Sequence, residues 1–110
     1  MSTVTDLTYL DKFCAGSKEK MQKYIDIYLK SMPSVIEKTS KGLSESDFIE
    51  VANQVHGCKT KFTMMGMNRA YELSQTIEYQ CRAGSINDQL KSEIDELMQM
   101  ILQSQSELQS

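Results

Sequence analysis

The chain of 110 residues contains one histidine, His56, and its neighbours decide what chemistry its imidazole could carry out. At 100° per residue, a helix through this segment places His56 between the apolar face and solvent. The same flank carries Lys59, Thr60 and Thr63. A free imidazole is mostly neutral near neutral pH and offers one unprotonated ring nitrogen as a nucleophile. We expect an exposed histidine, for which a solvated residue without function is the alternative interpretation.

The cysteines and the one histidine are not spaced as the ligands of a metal site. Cys14, Cys58 and Cys81 include no C-x-x-C pair, and their spacing to the one histidine does not match zinc ligands. A metal-binding helical bundle uses Glu-x-x-His motifs, whereas Asn53 stands three residues before His56. We therefore expect reduced thiols, no metal and no cofactor.

Composition limits the class of protein. The chain has 12 Lys and Arg against 15 Asp and Glu, a formal net charge of −3, with 40% hydrophobic residues. This is typical of one soluble domain over residues 1–110, and the mild acidity disfavours nucleic acid as a partner. No apolar run approaches the roughly 20 residues that cross a bilayer, and no basic segment begins the chain. We expect a cytoplasmic protein that binds no membrane.

The elements that must position His56 are helices, because Gly and Pro are scarce and apolar residues recur every three or four positions. Pro33 is expected to break or kink the second helix, Gly42 to end it, and the Gln- and Ser-rich end of the fifth to fray. Ser17, the run Ser44–Asp47 and Asn87 or Asp88 are the expected N-terminal caps. We predict helices over residues 5–15, 18–41, 44–65, 68–83 and 88–108.

Short loops between such helices favour antiparallel neighbours. The predicted fold class is all-α, an antiparallel up-down four-helix bundle with a short additional N-terminal helix. With one apolar stripe on each helix, the chain is expected to close on itself as a monomer.

The segment around the histidine resembles the signature of histidine phosphotransfer (HPt) domains. It reads A-N-Q-V-H-G-C-K-T-K-F-T-M-M-G over residues 52–66. In that family the phosphorylated histidine is followed three residues later by lysine and ten residues later by the glycine that ends the helix. His56, Lys59 and Gly66 stand at those positions, and Ala52 matches the small residue four positions before the histidine.

The resemblance extends over roughly residues 7–108 and implies a function. An HPt domain relays a phosphoryl group between aspartates of receiver domains, from a hybrid sensor kinase to a response regulator, in two-component signal transduction. It implies that His56 is phosphorylated and that Lys59 offsets the charge of the phosphoryl group. The Mg²⁺ of the reaction belongs to the partner receiver domain. The chain is expected to be a carrier and not a kinase, since it has no glycine-rich ATP loop.

Four further residues are expected to support the histidine: Thr60, Thr63, Glu78 and Arg82. Glu78 and Arg82 lie one turn apart on the next predicted helix, where residues of the family can face the histidine. Two positions depart from the family, which usually has glycine where Thr60 stands and a longer residue where Gly57 stands. Because Thr60 could narrow the approach of a receiver, the alternative is a helical adaptor that binds a receiver or another partner without phosphoryl transfer. The predicted docking surface consists of apolar and small residues around His56 on the second to fourth helices, with Met64 and Met67 as candidates.

Overall fold

The computed structural model describes residues 3–109, and every regular element in that range is helical. The first helix is shorter than the sequence predicts: it ends at Phe13, and residues 3–6, here named the N-terminal strap, precede it without regular secondary structure. The helices are α1 (Thr8–Phe13), α2 (Lys18–Ser44), α3 (Phe48–Met64), α4 (Asn68–Ala83) and α5 (Asp88–Gln109).

Side-chain caps determine where three helices begin. Ser17, Asp47 and Asn87 each accept a hydrogen bond from the backbone amide three residues further on. Ser17 and Asn87 were expected, whereas the start of α3 at Ser44 was wrong, because that residue is still the last of α2. Gly66 and Gly84 follow α3 and α4 with φ of +67° and +74°, as expected for helix ends.

Of the break or kink expected at Pro33, the break is wrong. The helix is continuous from Lys18 to Ser44. Pro33 is exposed, while Tyr28, Met32 and Thr39 are buried on both sides of it along the helix. Packing of this buried face outweighs the loss of one backbone donor, so the helix continues through the proline.

Gly42 does not end α2 either. It is a buried helical residue, and a Cβ atom there would lie 3.0 Å from Cγ2 of Val51 and 3.1 Å from the carbonyl oxygen of Asp47. The chain turns at Ser46 instead, with φ of +56°. Gly42 therefore allows α2 and the start of α3 to approach closely.

The four long helices contact one another in a ring: α2 lies against α3 and α5, and α4 also lies against α3 and α5. The short α1 contacts α2 and α3. All five helices contribute buried side chains to one hydrophobic core. No helix within residues 3–109 is long and apolar enough to span a bilayer.

The end of α5 is held by the N-terminal strap, so the fraying expected from the sequence does not occur. The Glu107 carboxylate accepts hydrogen bonds from the amides of Val4 and Thr5 at 2.9 and 3.0 Å and from the Thr5 hydroxyl at 2.6 Å. Desolvation raises the pKa of Glu107, but these hydrogen bonds outweigh it and lower the pKa to about 2. The strap continues to Asp6, whose amide donates to the carbonyl of Met65 at 3.0 Å.

Candidate functional site

His56 lies in a cluster of polar side chains that centres on the carboxylate of Glu78. Nδ1 of His56 lies 3.2 Å from Oε1 and 3.0 Å from Oε2 of Glu78. Nζ of Lys59 contacts Oε1 at 2.7 Å, and Nε of Arg82 contacts Oε2 at 3.1 Å. Arg82 also donates to the side-chain oxygen of Asn53 at 3.1 Å. These five residues are called the His56 cluster below.

Packing between α3 and α4 brings the cluster together. Val55 and Cys58 flank His56 on the buried side of α3, and Ile77 directly precedes Glu78 on the buried side of α4. These apolar contacts hold the two helices side by side, so the adjacent polar positions meet at the edge of the interface. The side chain of His56 is 65% exposed there, as the sequence predicted, whereas that of Glu78 is only 14% exposed.

The Glu78 carboxylate is ionised at any physiological pH. The hydrogen bond from Lys59 lowers the pKa of Glu78, partial desolvation opposes this effect, and hydrogen bonds from His56 and Arg82 lower it further, to about 2. An ionised carboxylate can only accept hydrogen bonds, so Nδ1 of His56 must carry the proton that it shares with Glu78. In the neutral ring this leaves Nε2 unprotonated, with a free lone pair on an exposed imidazole.

The threonines predicted to support His56 lie outside this cluster. Thr60 lines an apolar groove on the side of α3 that faces α2. Thr63 donates to the backbone carbonyl of Lys59 at 3.2 Å and borders a shallow crevice against the N-terminal strap. Of the four supporting residues, the structure therefore joins Glu78 and Arg82 to His56 through side-chain contacts and leaves the two threonines elsewhere.

The apolar groove begins at Thr60, one turn beyond His56, and has a volume of about 400 Å³. Several of its side chains are unusually open for apolar residues, including Phe13 at 54% and Ile27 at 53% exposure. Phe13 stacks on Tyr9 within α1 and packs edge to face against Tyr24 of α2. The groove is lined by Tyr9, Phe13, Tyr24, Ile27, Tyr28, Thr60, Lys61, Met64 and Met65.

Some residues of the groove and of the His56 cluster differ from what their sequence positions suggest. Phe13 and Tyr24 stand at apolar positions of the helical repeat in α1 and α2, where burial would be expected, but both are exposed. Met64 borders the groove, whereas Met67, the other candidate for the docking surface, is fully buried. Asn53 was considered only as a missing metal ligand, although its position one turn before His56 places it on the same flank.

Residues 3–109 contain no group of three or more His, Cys, Asp or Glu side chains placed to hold a metal ion. Cys14, Cys58 and Cys81 are free and buried. Burial raises the pKa of Cys58 to about 11, so this thiol is a poor nucleophile at neutral pH. His56 is therefore the better candidate for nucleophilic chemistry.

Comparisons of the chain with models of known families, with curated proteins and with solved structures give no match.

Proposed function

We propose that this protein is a histidine phosphotransfer protein of two-component signalling. In this proposal His56 accepts a phosphoryl group from an aspartate in the receiver domain of a hybrid histidine kinase. It then passes the group to an aspartate in the receiver domain of a response regulator. The sequence around His56 resembles that of the HPt family, and the site geometry supplies an independent reason.

The observation that carries the proposal is the orientation of the imidazole of His56. Nδ1 is held by the Glu78 carboxylate, and the exposed ring leaves Nε2 free to attack an incoming phosphorus atom. A nucleophile that reacts with a group on another protein must be exposed and fixed in orientation. Among the described side chains, His56 combines these properties with a hydrogen bond that sets its tautomer.

The reaction needs little else from this chain. An aspartyl phosphate is an activated acyl phosphate, so Nε2 forms the new N–P bond while the P–O bond breaks and its electron pair leaves on the aspartate. Lys59 lies one turn from His56 and can offset the negative charge of the phosphoryl group. Mg²⁺ is proposed to come with the receiver domain, and no ATP is used. The chain then acts as a carrier and not as an autonomous kinase.

The apolar groove supports the proposed partners. The groove is lined by exposed aromatic side chains and by Thr60, which lies one turn beyond His56 on α3, so a protein that covered the groove would lie close to the imidazole. We propose that receiver domains dock here and that this surface is wider than the sequence predicted, because α1 contributes Tyr9 and Phe13. Thr60 would then contact the partner directly.

The arrangement of helices also agrees with this family. The ring of contacts among α2, α3, α4 and α5 is what an antiparallel up-down four-helix bundle requires, with α1 as a short addition beside it. We propose this bundle as the fold and a cytoplasmic monomer as its working form. Residues on one flank of a rigid bundle keep their positions when a partner arrives, which suits repeated transfer through one nucleophile.

The test is phosphoryl transfer from a phosphorylated receiver domain of the same genome to the wild-type chain and to His56→Gln. Transfer should yield an acid-labile phosphohistidine on the wild type and nothing on the variant, because glutamine has no nucleophilic ring nitrogen. Thermal unfolding of both chains controls for folding, since residue 56 is largely solvated. If no receiver transfers but receivers still bind, the adaptor without phosphoryl transfer is correct, and Thr60→Gly tests whether Thr60 blocks attack.

A further inference from the structure

The contact between Glu78 and His56 bears on the second half of the relay, in which the phosphoryl group leaves. Nδ1 lies between the two carboxylate oxygens, at 3.2 and 3.0 Å. That nitrogen is the one not used for attack, so its proton remains in place when Nε2 becomes phosphorylated. The Glu78 contact is therefore compatible with both the free and the phosphorylated ring.

The protonation of Nδ1 decides how well the imidazole leaves. Attack of neutral imidazole on phosphorus gives a phosphorylated ring that carries a positive charge while Nδ1 keeps its proton. When an aspartate oxygen then attacks the phosphorus, the N–P bond breaks and its electron pair returns to Nε2, which leaves as neutral imidazole. If Nδ1 has lost its proton first, the leaving group is an imidazolide anion, a far stronger base that leaves slowly.

We propose that Glu78 retains the Nδ1 proton on phosphorylated His56, so that the phosphoryl group is released at a nearly constant rate from neutral into alkaline pH. This inference rests on the proposed function and assigns Glu78 as a positioning residue for the donor step. A carboxylate in hydrogen-bond contact with an imidazolium stabilises the protonated ring and so opposes the loss of its Nδ1 proton.

The charges around the contact are consistent with this role. Glu78 of α4 contacts the ring, and Lys59 of α3 and Arg82 of α4 contact the Glu78 carboxylate beside it. Within residues 3–109, no ion pair to this cluster comes from α1, α2 or α5. Lys59 and Arg82 each hold one oxygen of Glu78, which keeps the carboxylate ionised and fixed beside Nδ1. A phosphoryl group on Nε2 would give Lys59 a second acceptor and leave the contact between Nδ1 and Glu78 intact.

The experiment measures how the release of phosphate depends on pH, and it needs no receiver domain. The wild-type chain and Glu78→Gln are phosphorylated on His56 with phosphoramidate, a small-molecule donor, and release of phosphate to water is followed by ³¹P NMR from pH 6 to 9. The matched control is Glu72→Gln, the same substitution at an exposed position of the same helix outside the His56 cluster. Glu78→Asp tests whether a carboxylate on a shorter side chain restores the wild-type profile.

For the wild type and Glu72→Gln, the rate of phosphate release should change less than about twofold between pH 6.5 and 8.5. For Glu78→Gln, the rate of phosphate release should fall about tenfold over the same interval, while at pH 6 it should equal the wild-type rate. A shared pH profile for all four chains would overturn the proton-retaining role of Glu78, and so would a Glu78→Gln defect of equal size at every pH. The proposed relay is tested separately, because it fails if phosphorylated His56 transfers to no receiver aspartate, whatever its lifetime in water.

Discussion

Replacing Gly66 by alanine should detach the N-terminal strap and destabilise the protein. Gly66 has φ of +67°, where an alanine costs about 1–2 kcal/mol. A Cβ atom would also collide with the carbonyl oxygen of Asp6, well inside the 3.0 Å below which such contacts essentially never fall. The strap must move away, and the hydrogen bond from the Asp6 amide to Met65 is lost, at about 1 kcal/mol. The free energy of unfolding should fall by about 2–3 kcal/mol.

Gly84→Ala is the matched control for this substitution. Gly84 also follows a helix, with φ of +74°, but an added Cβ would meet nothing within 4 Å. The control should lose only the backbone contribution, about 1–2 kcal/mol. The difference between the two variants then isolates the collision with the strap.

Urea denaturation at pH 7 measures both free energies, and hydrogen exchange of the Asp6 amide reports the strap directly. Gly66→Ala should lower the melting temperature by about 10 to 20 °C and abolish protection of that amide, while Gly84→Ala preserves it. Equal losses of stability with the Asp6 amide still protected in both variants would refute this account of the strap.

Two further predictions concern stability. Gly57→Ala should raise the free energy of unfolding by about 0.5–1 kcal/mol, because Gly57 lies mid-helix with nothing within 4 Å of an added Cβ. Gly42→Ala should lower the free energy of unfolding by about 1–3 kcal/mol, because its Cβ would press on Val51. Urea denaturation of both variants measures these two changes, which should have opposite signs. The pKa values of Glu78 and Glu107 fall to about 2 from 4.5, so their contribution to stability is complete above about pH 5 and is lost as the pH falls toward 2. After solvent screening, each carboxylate should contribute about 1 kcal/mol to the free energy of unfolding. In Glu107→Gln, the free energy of unfolding should therefore fall less steeply than in the wild type as the pH decreases from about 5 to about 2. An unchanged dependence on pH would contradict the role of the Glu107 hydrogen bonds.

Local patterns predicted most of the helices correctly. The apolar spacing in α3 and α4, the caps at Ser17 and Asn87 and the glycines after α3 and α4 each act within a few residues, so their effects can be read without the fold. The errors arose where a local preference competes with packing. Pro33 and Gly42 are poor helix residues by themselves, but both lie within α2 because the buried face of that helix is held by its neighbours.

Some features of the candidate site could also be predicted from local sequence, and others depend on how the helices pack. The spacing of His56, Lys59 and Gly66 and the exposed flank of α3 follow from helical periodicity. Sequence could also place Glu78 and Arg82 one turn apart on a second helix. It could not determine that Glu78 approaches Nδ1 of His56 within 3.2 Å, because this depends on how far α4 is shifted and rotated against α3.

The sequence by itself determined the helical class, the exposed position of His56 and the lysine one turn beyond it, since each depends on residue type and a repeat of 3.6 residues. Tertiary structure alone decided which groups hold the imidazole, how the aromatic side chains of α1 and α2 form an exposed groove, and how the strap joins Glu107. These contacts join different elements of the fold, from Phe13 and Tyr24 to Thr5 and Glu107, whose side chains are 102 positions apart. Their geometry is set by the packing of the whole core, which no local pattern contains.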